Sequence, residues 1–182
     1  MSAPTTEIPG YIAGTWAIDP AHSDVTFTVR HLGVSKVRGQ FSTFEGEIVT
    51  ADTLNGSSVT ATIQAATIDT NSAQRDEHVR GGDFLDVEQF PTLTFRSTGI
   101  RVEDGDYLID GELTLHGVTK PVTLQAELGG FGDGMTPDSK VVGVEASTEI
   151  SRSDFAVGAN IPTAVVSDKI KIELNIEAGL QQ

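Results

Sequence analysis

The 182 residues carry 26 acidic and 12 basic side chains, a formal charge of -14, so at long range the surface repels nucleic-acid phosphates and anionic lipid headgroups. The absence of cysteine excludes disulfides, thiolate nucleophiles and cysteine-held zinc or iron-sulfur centres. A 38% hydrophobic content with 19 glycines suits one globular, turn-rich domain, expected over residues 15–179 behind an N-terminal extension over 1–14.

The opening Met1-Ser2-Ala3-Pro4 has neither a basic stretch nor an apolar run, which argues against a secretory signal and for cytoplasmic residence if Met1 is the true start. No stretch is long and apolar enough for a transmembrane segment. From about residue 24 the dominant pattern is period-two alternation in short runs, which predicts eight antiparallel strands. The first places Val25, Phe27, Val29 and His31 on one face. In the second, over 37–50, Val37, Gly39 and Phe41 share one phase and Phe44, Gly46 and Ile48 the other, so a bulge or bend is expected between Phe41 and Phe44.

Asn55-Gly56 reads as a hairpin turn leading to Val59, Ala61 and Ile63. Residues 71–90 read as a helical interruption, with Asn71 resembling an N-terminal cap and Gly81-Gly82 a stop. Leu93 and Phe95 form the fourth strand, Asp104-Gly105 a second hairpin turn, and Tyr107, Ile109, Leu113 and Leu115 the fifth. The sixth and seventh carry Val122 to Leu128 and Val142 to Ile150, joined by an expected loop over 129–139, and the eighth alternates Ile170, Ile172, Leu174 and Ile176 with charged residues. Alternation alone leaves a sandwich and a closed barrel open. The small inward residues Gly111, Ala61, Ala126 and Ala146 favour an interior with room in it.

Signs of catalysis are sparse. His22, His31, His78 and His116 lack the short spacings of a metal site, and neither a Gly-x-Ser-x-Gly elbow nor a phosphate-binding glycine loop is present. Arg75-Asp76-Glu77-His78 gathers titratable groups on the helical segment, where they serve either as local ion pairs or as contacts to a ligand headgroup. No catalytic residue, metal or cofactor is expected. Two alternatives stay open: a packed-barrel stress or interaction protein, and a metal-dependent enzyme acting on a lipid-like substrate through these histidines with Asp76 or Asp86.

Several motifs in order resemble the YceI-like family. They are Trp16-Ala17-Ile18-Asp19-Pro20-Ala21-His22-Ser23, Phe27-x-Val29-x-His31, Val37-x-Gly39-x-Phe41-x-x-Phe44-x-Gly46, Arg75-Asp76-x-His78, Asp83-Phe84-x-Asp86, Phe90-Pro91-x-x-x-Phe95, Gly111-x-Leu113-Thr114-x-x-Gly117-Val118-Thr119-Lys120 and Ile150-x-Arg152-x-Asp154-Phe155. The resemblance implies an all-β, eight-stranded antiparallel lipocalin-like barrel with a short helix near one end, enclosing a hydrophobic tunnel. It further implies binding, storage or transport of a long isoprenoid chain with a quinone or phosphate head. Leu85 and Ala156 stand where the family pattern leads one to expect an aromatic residue and a glycine, and the opening residues are not expected to act as the secretion signal that many relatives carry.

On this reading Phe27, Val29, His31, Phe41, Phe44 and Ile63 contact the ligand from the first three strands, and Arg75, Asp76, His78, Phe84 and Phe90 from the helical segment. Phe95, Leu113, Leu115, Val144, Phe155 and Ile172 complete the set. A long-chain isoprenoid or similar lipid is the expected partner, nucleic acid is not, and strand edges leave room for a homodimer.

Overall fold

The computed structural model describes residues 8–181. In chain order the elements are β1 (Gly14–Ile18), β2 (Asp24–His31), β3 (Ser35–Phe41), β4 (Phe44–Thr50), β5 (Ser58–Gln64), β6 (Ile68–Asp69), α1 (Ala73–Arg80), β7 (Thr92–Glu103), β8 (Asp106–Leu115), β9 (Val118–Asp133), β10 (Lys140–Ser151) and β11 (Lys169–Leu180). Each alternating strand has one apolar face to bury, and closing the sheet buries all of them together. The ring runs β1-β4-β5-β7-β8-β9-β10-β11 and closes where β11 pairs with β1, giving an eight-stranded antiparallel barrel.

β1 lies outside the eight strands expected from alternation. Its five residues run straight into Asp19-Pro20, a turn signal that hides how short the interruption is. β1 and β2 are two halves of one long strand: both pair with β11, Trp16 opposite Leu180 and Val25 opposite Leu174. β3 and β4 are similarly divided at Ser42-Thr43, where the Ser42 N–H donates to Thr67 O at 3.4 Å and the Thr43 N–H to Thr67 Oγ1 at 3.2 Å. This bend is the phase slip read between Phe41 and Phe44, and it leaves both rings buried.

Three local expectations are corrected. The helix cap is Ser72, whose Oγ accepts the Arg75 N–H at 3.3 Å, while Asn71 sits one residue earlier at φ 66°. Asn55-Gly56 lies within a longer connection over 51–57 rather than forming a two-residue turn, because Gly56 bonds back to Thr53. The first part of the stretch expected as a loop over 129–139 is strand: β9 continues to Asp133, with the extra residue Gly129 taken up as a bulge against Gly143 and Val144. Asp104-Gly105, by contrast, is the expected tight hairpin, with φ of 52° and 86° and Glu103 paired to Asp106.

The barrel has two unlike rims. The capped rim carries α1, the His116-Gly117 turn and the segment 152–168; the other carries residues 8–13, the 51–57 connection, Asp104-Gly105 and the 134–139 turn. Among the described residues no helix is long and apolar enough to cross a membrane.

Candidate functional site

Most residues expected to contact a ligand assemble in the capped half, where they pack against one another. Phe41, Phe44, Leu113, Leu115 and Phe155 are buried in one cluster, with Phe27, Ile63, Phe84, Phe95 and Ile172 against it. Two glycines make this possible. A Cβ on Gly39 would lie 2.3 Å from Phe27 Cζ, and one on Gly111 would lie 2.5 Å from Phe95 Cζ, so the rings occupy the space that a side chain would need. The room expected beside Gly111 is therefore filled by aromatic carbon. Val29 is half-buried opposite Val37, and Phe90 stacks edge-on against His116 with ring centroids 4.8 Å apart.

The polar candidates at this rim are engaged locally. Asp76 is buried and its Oδ1 accepts the Thr70 N–H at 2.7 Å and the Thr70 hydroxyl, while Arg75 donates to Thr70 Oγ1 and to the Thr70 carbonyl. His78 donates to Asp83 at 2.9 Å and its ring meets Phe84 edge-on, and His31 is exposed beside Val166. Below them lies Arg152, 4% exposed, whose guanidinium donates to the carbonyls of Val157, Gly158, Ile161, Val166 and Ser167. One side chain thus satisfies five acceptors of an otherwise irregular segment, which is how the capped rim is closed without a strand.

The other half holds a cavity of about 130 Å³ with an apolar wall. Its walls come from Ile18 and Ile48, from Val59 and Ile100, from Ile109 and Leu124, and from Val142, Val144 and Ile176. Ala126 and Ala146, two of the small inward residues, line this cavity, with Tyr107 of β8 opposite Ala126. At the rim Ile8, Tyr11 and Phe131 lie over it; Tyr11 and Phe131 meet edge-on at 5.3 Å, and the Tyr11 hydroxyl donates to Ala51 O. The Thr50 and Ser57 hydroxyls in the wall are already paired: Thr50 Oγ1 donates to Ile12 O at 2.7 Å and accepts from Trp16 Nε1 at 2.8 Å, and Ser57 Oγ donates to Thr53 O at 3.0 Å.

Of the residues expected to contact a ligand, Val144 is the one in this wall. Ile48, Val59, Ile109, Leu124, Val142 and Ile176 carried the right signal, since alternation places them inward, but alternation does not say which half of an inward stripe stays empty. Tyr11 and Ile18 had no such signal, because each precedes the first strand read from the pattern.

No two histidines converge among the groups of potential metal ligands in the described residues. The one such group is Asp19, His22 and Glu177 on the outer surface at the β1–β2 junction. His22 Nδ1 donates to Asp19 Oδ2 at 2.7 Å, with Glu177 Oε2 at 3.6 Å. That hydrogen bond holds the Asp19 carboxyl below its ordinary range and raises the His22 imidazole.

The YceI-like domain model matches residues 16–178. Protein YceI of Salmonella arizonae is 40% identical over 170-odd residues, covering 94% of this chain and 89% of its own. Among solved structures, the YceI protein of Campylobacter jejuni superposes with a TM-score of 0.75 at 28% identity, covering 84% of this chain and 90% of that one. A polyisoprenoid binding domain from Saccharophagus degradans, at 16% identity, shares the fold with a TM-score of 0.69, over 93% of this chain and 100% of that one. Barrel, motifs and matched length agree, and the chain belongs to the YceI-like family.

Proposed function

We propose that this barrel binds a single apolar chain of the isoprenoid class through its uncapped rim and serves to store or carry it. The observation that supports the reading is the apolar cavity among Ile48, Ile109, Leu124 and Val144, in a fold shared with a domain described as polyisoprenoid binding. An apolar void of about 150 Å³ is large enough for benzene, so the resting cavity takes roughly one five-carbon unit. At about 0.8 kcal/mol per CH₂ that unit gains about 4 kcal/mol, no more than the lower end of the association cost of about 4–15 kcal/mol. Useful affinity therefore requires the cavity to lengthen, and the segment from Ile8 to Tyr11, laid over the mouth, is the part to be displaced.

The mouth also bears on the head group. Asp52, Glu103, Asp104, Asp106, Asp133 and Asp138 lie on the loops and strand ends of this rim, against Arg101 and Lys140. A phosphate head would meet like charge there, so the reading favours a neutral head such as a quinone. The functional class is a carrier without a catalytic step.

The test is uptake of a neutral prenyl quinone and of a prenyl phosphate, read by native mass spectrometry. The unsubstituted protein is expected to retain the quinone in preference, and Val144→Trp, which fills the cavity, to lose it by at least about tenfold while staying folded. Equal uptake by a folded Val144→Trp variant would remove the cavity from the binding site.

A further inference from the structure

The long-range repulsion set by the net charge has a local exception at the tip of the β2–β3 hairpin. The 20 residues from Val25 to Phe44 contain no Asp or Glu in a chain that has 26 of them, yet they include Arg30, His31, Lys36 and Arg38. Arg30 stands directly opposite Lys36, and Arg38 opposite Thr28, with all three cations exposed on the same outer face. Facing like charges across a strand pair is destabilising, and among the described residues no carboxylate forms an ion pair with any of the three. The neighbouring Asp168 is turned away, accepting the Ser153 N–H at 2.9 Å.

Between these cations the turn presents Leu32 and Val34, 57% and 81% exposed, with Val165 beside them at 37%. Leu32 is doubly unfavourable where it stands, being a large apolar residue in water and at a left-handed φ of 55°. Among the described residues, no atom lies within 4 Å of where a Cβ on Gly33 would stand. The tip is nevertheless ordered by its backbone: the Leu32 N–H donates to Val165 O at 2.9 Å, the Val34 N–H to His31 O at 3.2 Å, and the Arg30 N–H to Ser167 Oγ at 2.9 Å. Few backbone donors at the tip would be left unpaired on leaving water, which is the condition for entering a lipid interface.

We infer that the β2–β3 hairpin is a membrane-docking element, in which Leu32 and Val34 enter the acyl boundary of an anionic bilayer while Arg30, Lys36 and Arg38 meet its headgroups. Three exposed cations beside exposed aliphatic carbon complement anionic lipid in both charge and polarity. The acidic remainder of the barrel is repelled by the same surface, which orients the approach with the hairpin foremost. The site is separate from the cavity, which opens at the opposite rim, and it stands whether or not the barrel carries an isoprenoid.

Vesicle co-sedimentation tests it, using the full chain at low ionic strength with phosphatidylcholine vesicles with and without phosphatidylglycerol. Binding is expected only when phosphatidylglycerol is present. It should weaken by roughly tenfold or more both in Leu32→Ser/Val34→Ser and in Arg30→Gln/Lys36→Gln/Arg38→Gln, and should fall as salt is raised. A Leu32→Trp variant should show a blue-shifted emission on binding that the buried Trp16 does not supply. Absence of binding to phosphatidylglycerol vesicles, or unchanged binding by either multiple variant, overturns the assignment; so does saturable binding to an acidic protein surface with none to lipid. Prenyl quinone uptake measured on Leu32→Ser/Val34→Ser should remain at the unsubstituted level, which separates failure of docking from failure of the carrier reading.

Discussion

The two halves of this barrel bury similar residue types and use them differently. In the capped half, aromatic rings lie across glycines and a buried guanidinium holds five carbonyls, so packing and polar pairing reinforce one another. In the other half, aliphatic side chains of the same strands surround about 130 Å³ of empty space, roofed by a short N-terminal segment. A fully packed half resists deformation, whereas a half already missing contacts can be rearranged at smaller cost. The fold thus separates a rigid base from an adaptable mouth along single continuous strands.

The largest effect that sharpens this contrast belongs to Arg152. Arg152→Met keeps much of the volume but orphans buried carbonyls, and is expected to lower unfolding free energy by about 3–5 kcal/mol in urea titration. Ile109→Ala, in the cavity wall, should cost about 2 kcal/mol, the low end for such a truncation, because one side of Ile109 already faces empty space. If Ile109→Ala proved the more damaging, the mouth would be the structural half and the contrast would be reversed.

A smaller, opposite effect is expected at Ala156, where the sequence departs from its family pattern. Ala156 ends the 3-10 turn Arg152–Phe155 at φ 56° and ψ 27°, a left-handed conformation that disfavours a Cβ. Ala156→Gly should raise stability by roughly 0.5–1 kcal/mol, the relief of strain being partly offset by glycine's greater unfolded freedom. A loss of stability in thermal unfolding would show that the methyl group contributes more by packing than it costs in strain.

The smallest effect concerns the clamp between β1 and β2. Asp19 is lowered from its ordinary 3.8 by the His22 hydrogen bond, so its contribution is present above that value and is lost as pH falls through the lowered one. His22 is raised from 6.5 by the same bond, so its contribution is full below 6.5 and is lost as pH rises through the raised value. His22→Ala should therefore differ from the unsubstituted protein most between about pH 3.8 and 6.5 and least in alkaline buffer, as measured by thermal unfolding. A difference independent of pH would mean that packing, not the ion pair, holds the junction.

Alternation along each strand identified the inward residues, and the slip between Phe41 and Phe44 located a real bend, because both are properties of neighbouring residues. The glycine stretch from Gly129 to Gly132 misled for the same reason: local composition suggests a loop, while pairing with β10 keeps it in the sheet. The site was less legible. Phe27 and Phe95 are large, apolar and inward, as a ligand wall is expected to be, yet they fill the glycine gaps beside them.

The class of structure is legible in the residue pattern: an all-β chain whose strands each have one face to bury, joined by turns such as Asp104-Gly105, with a short helix ending at Gly81. Tertiary structure alone decided that β11 closes onto β1, that Arg152 secures one rim, and that the space left over lies at the other. Periodicity is fixed between near neighbours in the chain. Closure and empty volume depend on residues such as Trp16 and Leu180, or Ile48 and Val144, that meet only when the whole sheet has formed.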